Sequence, residues 1–171
     1  MHIDYLNVEP LGPINRWRLV VILREFGMLD PSTLPDEAAR LLAAGADDAA
    51  VVNLAVLAAT DPVTDLQDSF EDACAALSTH VVDVFEASRV LFRIGCRWWL
   101  DNDIDARLPQ VKQAQHREAE LYWEVDDIYE QYIHGLVDER SSARPAVELY
   151  LQEIAAFSTV EALHRAVPWR E

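Results

Sequence analysis

Apolar residues along this chain recur three and four positions apart in segment after segment, and almost no stretch alternates with a strand's period of two. That pattern predicts an all-α protein. After an irregular start over residues 1–13, NRWRLVVILREFG reads as a first helix that Gly27 stops. STLPDEAARLLAAG carries Pro35 in its first turn, Asp36 and Glu37 near the positive end of its dipole, and Gly45 as its stop. DDAAVVNLAVLAAT predicts a short apolar helix begun by Asp47 or Asp48. Beyond the Asp61-Pro62 break, TDLQDSFEDACAALS places Leu66, Phe70, Cys74 and Leu77 near one face.

The second half continues in the same way. THVVDVFEASRVLFRIGCRWWL predicts a long helix that Gly95 loosens near its end. DNDIDARLP reads as a loop, PQVKQAQHREAELYWEVDDIYEQYIHG as the longest helix and ERSSARP as a polar linker. PAVELYLQEIAAF has Pro145 in its first turn, and STVEALHRAV opens on the capping pair Ser158 and Glu161 and ends at Pro168. There is no internal repeat, low-complexity segment or interdomain linker. Short connections favour antiparallel neighbours, so the expectation is a single domain over residues 1–171, an antiparallel bundle of about seven to eight helices.

Charge changes the picture more than composition does. A chain of 171 residues, 51% of them hydrophobic, can build one core. Thirty acidic residues against fourteen basic ones leave a formal net charge of −16. Up to Phe85 there are 14 acids and 4 bases, and beyond it 16 and 10, so the acidity is a property of the whole chain and not of a tail. Such a field repels nucleic acid and anionic membranes, and it speeds encounter with a basic protein. Direct nucleic-acid binding is therefore not expected.

Residues 116–134, HREAELYWEVDDIYEQYIH, concentrate the chemistry. On a wheel of about 100° per residue, His116, Glu120, Asp127 and His134 share a stripe flanked by Glu124 on one side and Glu130 on the other. Leu121, Val125, Ile128, Tyr129 and Tyr132 form the opposite, apolar face, so this helix is expected to pack with its carboxylates away from its own core. His116 and His134 lie about 27 Å apart along the axis, beyond the reach of one ion. A di-metal bundle needs Glu-x-x-His repeated on facing helices, whereas the chain's one such spacing, Glu161 with His164, has no second copy. Trp123 stands on the carboxylate side, an aromatic anchor rimmed by acids. Glu120, Trp123, Glu124, Asp127 and Glu130 are thus the expected partner-binding residues.

Other constellations are weaker. Arg89, Arg93 and Arg97 recur every four residues along one helix edge and call for neighbouring acids, with the 116–134 helix the expected source. Asp101, Asp103 and Asp105 imitate the start of a calcium loop, but Ala106 stands where the sharp turn needs glycine and Lys112 where a bidentate glutamate belongs. Trp98 and Trp99 point about 100° apart, so one is expected in the core and the other partly exposed. Cys74 and Cys96 have no C-x-x-C spacing and read as buried free thiols in a reducing compartment. Five glycines offer no phosphate-binding loop, and no serine has a nucleophile-elbow context. No cofactor and no metal is expected. Without a basic n-region and an apolar h-region the first residues predict no signal peptide, and no apolar run approaches the length of a membrane span. A cytoplasmic protein is the expectation.

The order of RWRLVVILREFGMLDPSTLPDEAARLLAAG, DDAAVVNLAVLA and DLQDSFEDACAAL over the first half resembles uncharacterised small acidic all-helical actinobacterial proteins. The group of similar chains includes immunity proteins of polymorphic toxin systems. That resemblance implies a toxin-neutralising role and carries over no catalytic residue. The sequence therefore favours a helical interaction module for a basic protein partner, acting as an immunity-like or DNA-mimicking inhibitor, over an enzyme. A rival expectation is a small metal-binding protein or enzyme assembled from His80, His116, His134 or His164 with dispersed acids. A third is self-association into a homo-oligomer through exposed apolar surface.

Overall fold

The computed structural model describes residues 4–8, 10–101, 148 and 158–169. Among the described residues there are six α-helices, two short 3-10 turns and no strand. The helices are α1 (Pro13–Glu25), α2 (Leu34–Ala43), α3 (Ala49–Ala55), α4 (Val63–Ala76), α5 (Val84–Asp101) and α6 (Thr159–Ala166). The helix read from PQVKQAQHREAELYWEVDDIYEQYIHG lies outside the described residues, as does that read from PAVELYLQEIAAF apart from Glu148, which is helical.

The chain's contacts gather it into two units, one of Leu11–Asp83 with Leu163–Glu171 and the other of Met1–Pro10 with Val84–Ala162. In the first unit α1 is the central element. Trp17 through Leu23 are buried in succession, so the helix has no wet face over those two turns. Pro13 is its first residue, where a missing N–H costs nothing. Gly27 closes it with φ of 64°, letting the Met28 amide reach back to the Leu23 carbonyl at 2.8 Å. Gly45 ends α2 the same way with φ of 100°. In the turn before α2, the Asp30 side chain accepts from the Ser32 amide at 3.0 Å. That bond, with a second from the Ser32 side chain, holds the Asp30 carboxyl below its usual range against the opposing effect of desolvation.

Helix α1 takes in Pro13, which the sequence reading left in the irregular start, and two further boundaries differ by about a turn or more. Helix α3 begins on Asp48, whose side chain accepts from the Ala50 amide at 2.8 Å, but it stops at Ala55 instead of running on toward Thr60. The Asp61 carboxylate takes the Ala58 amide at 2.7 Å and folds residues 58–61 into a turn. Helix α5 starts at Val84 and not at Thr79, because residues 79–83 have other partners. The Thr79 amide caps α4 through the Cys74 carbonyl at 2.8 Å, and the Asp83 amide donates to the Ala166 carbonyl at 2.8 Å. Gly95 leaves α5 unbroken through to Asp101.

Polar side chains tie the first unit together. Arg16 on α1 forms a two-point bridge to Glu37 on α2, with Nε to Oε2 at 2.6 Å and Nη2 to Oε1 at 2.8 Å. The Trp17 indole donates to the Thr79 hydroxyl at 3.3 Å and packs against Phe70 with ring centroids 5.4 Å apart. Arg18 is buried and donates to the Val167 carbonyl at 2.9 Å and to Asn15 at 2.9 Å, with Trp169 stacked over its guanidinium. Burial pushes the Arg18 pKa down. These contacts fix the chain's C-terminal segment on the first helix.

In the second unit, the 3-10 turn Tyr5–Asn7 packs on α5 and buries Tyr5 and Leu6. The start of the chain, expected to be irregular, is therefore anchored by apolar burial. Helix α5 buries Ala87, Val90, Leu91 and Ile94. The pair Ser158 and Glu161 forms the predicted reciprocal cap of α6, each side chain accepting from the other's amide at 3.1 Å.

Candidate functional site

Between Arg40 and His80 the chain carries Asp47, Asp48, Asp61, Asp65, Asp68, Glu71 and Asp72, and no lysine, arginine or histidine. Asp48 and Asp61 hold backbone amides. The other acids are exposed. On α4 the wheel sets Asp65, Asp68 and Asp72 within about 60° of one another, opposite buried Leu66, Phe70 and Ala73. Helix α4 is amphipathic because its apolar residues recur at helical spacing, and its wet side is acidic without a compensating base. None of its four acids forms an ion pair with a described residue. Exposed valines accompany them: Val63 opens α4, Val52 stands on α3 and Val56 caps its end at 75% exposure. Helix α3 packs on α4, so acids and exposed apolar groups occur on adjoining elements.

A cavity of about 330 Å³ opens in the same unit. Helix α1 contributes Val21, Arg24 and Glu25 to its wall, and α4 contributes Phe70, Glu71 and Cys74. Thr79, His80 and Val82 complete it. Val21 and Phe70 are buried and apolar, whereas Glu25, Glu71 and His80 are exposed. The buried Nε of Arg24 has no hydrogen-bond partner among the described residues. Thr79 accepts from Trp17 and donates to the Cys74 carbonyl at 3.4 Å. Burial pushes the Cys74 thiol up to about 12, more than its bond with Thr79 lowers it. A thiol held that high stays protonated near neutrality.

The expected partner-binding residues Glu120, Trp123, Glu124, Asp127 and Glu130 lie outside the described residues, as do His116, His134, Asp103, Asp105, Ala106 and Lys112. So do the side chains of Cys96 and Trp99. Among the described candidates, His80 stands at the cavity and His164 is exposed on α6. Among the described residues no three of His, Cys, Asp and Glu converge on a metal-sized site. Arg89 pairs at 3.1 Å with Glu86 one turn earlier on its own helix, and the acids of residues 116–134, its expected partners, lie outside the described residues. Trp98 is half-buried. Cys74 is a buried free thiol as expected. Among the described residues no helix is long and apolar enough to cross a membrane.

Comparison with known proteins gives no neighbour: no family model, curated protein or solved structure matches the chain.

Proposed function

We propose that this protein is an acidic helical interaction module that binds a basic protein, as a toxin-neutralising or DNA-mimicking inhibitor. The observation that carries this reading is the uncompensated acidity: a net charge of −16, with no base at all between Arg40 and His80. A field of that sign and size attracts a cationic partner from a distance and rejects nucleic acid, so charge sets the encounter and apolar contacts hold the complex. Exposed Val52, Val56 and Val63 beside the α4 acids supply such contacts. The proposed interface also takes in Glu120, Trp123, Glu124, Asp127 and Glu130, where an indole anchor is rimmed by carboxylates. In this reading the whole chain is a cytoplasmic, antiparallel bundle of seven to eight helices.

Two charge-neutralised variants test the proposal and locate the interface. One carries Asp65→Asn, Asp68→Asn and Asp72→Asn, and the other Glu120→Gln, Trp123→Ala and Asp127→Asn. Captured partner is expected to fall with one or both while the helical circular dichroism is retained. Undiminished capture by both variants would remove both faces from the interface.

A further inference from the structure

The cavity lined by α1 and α4 holds a guanidinium, Arg24, with one buried donor that no described residue accepts. Arg24 makes no ion pair with a described residue, and its Nε is buried without an acceptor. A buried donor on a charged group is costly to leave unmade, and a carboxylate of a ligand is the acceptor that meets a guanidinium best. The same wall carries Glu25 and Glu71, both exposed and neither paired with a described residue. Val21 and Phe70 form its buried apolar part. At about 330 Å³ the space lies at the small end of ligand pockets.

We infer that this cavity binds a small apolar amino acid, with its carboxylate on Arg24, its side chain against Val21 and Phe70, and its ammonium group toward Glu25 and Glu71 at the mouth. The charges decide among ligand classes. A simple anion would meet two carboxylates and a molecule of net charge −16, and would be repelled. A simple amine would leave the Arg24 donor unmet. A zwitterion is neutral overall, so the molecular field does not oppose it, and its two ends match the two kinds of charge in the wall. Thr79 adds little, because its hydroxyl is committed to Trp17 and Cys74.

Isothermal titration of the full chain with L-leucine tests this, beside 4-methylpentanoate and 3-methylbutylamine, which each lack one of its charges. Saturable binding of leucine is expected, with both analogues at least about tenfold weaker. Arg24→Gln should abolish binding, with folding followed by circular dichroism. Glu71→Gln, at an exposed position, should weaken binding without touching the core, and decides the matter if the arginine variant does not fold. No saturable binding of L-leucine or of L-phenylalanine would overturn the inference. So would analogues that bind as well as leucine, or a Glu71→Gln affinity equal to that of the unaltered protein.

Discussion

Ser78 follows the last turn of α4 with φ of 59°, the left-handed region that a side chain enters at a cost. It accepts that geometry because the turn must deliver the Thr79 amide to the Cys74 carbonyl and the Thr79 hydroxyl to Trp17. Glycine meets the same φ without the Cβ clash. Ser78→Gly should therefore stabilise the protein by about 1 kcal/mol, seen as a higher urea midpoint. Cys74 offers a test with a definite sign. Its folded pKa, about 12, stands above the ordinary thiol value of 9.0. The unfolded chain releases this proton first, so the thiol's contribution is complete below pH 9.0 and is lost as pH rises toward about 12. Urea midpoints measured across that window should fall more steeply for the unaltered protein than for Cys74→Ala. Equal slopes would show that the thiol does not titrate differently on folding. Neither residue's role was legible in the sequence. Ser78 carries no glycine signal, and the thiol's shift comes from tertiary burial.

Helix ends were legible wherever the signal was covalent or local: Pro35 at a start, Gly27 and Gly45 at stops, Ser158 with Glu161 as a reciprocal cap. They were not legible where a remote group intervened. Asp61 shortens α3 by taking the Ala58 amide, and Ala166, far along the chain, takes the amide of Asp83 just before α5. The same C-terminal segment is held by Arg18, whose burial no helical pattern announces, because arginine in an apolar run reads as a wet position. Arg18→Met keeps much of the side chain's bulk and removes its donors, leaving the Val167 carbonyl without its partner. The expected loss is about 1–3 kcal/mol, with faster hydrogen exchange at the Asp83 amide as the C-terminal segment loosens. Unchanged exchange there would mean that the segment is held by its apolar residues alone.

At the scale of the molecule, charge is the dominant feature. Reading the sequence for density of carboxylates leads to residues 116–134; reading it for the absence of bases leads equally to residues 41–79, where α4 turns Asp65, Asp68 and Asp72 outward. The second signal was present in the sequence, but only the fold shows that these acids form no ion pair among the described residues. The cavity was not legible at all, since the Arg24 Nε left without an acceptor among the described residues is a product of how the chain folds around it. The measurement that bears most directly on the proposed function is affinity capture from the native-source lysate at low and at high salt, with mass-spectrometric identification. The account predicts one strongly basic protein retained at low salt and released as screening shortens the reach of the acidic field. Recovery of the bait alone at both salts would contradict it.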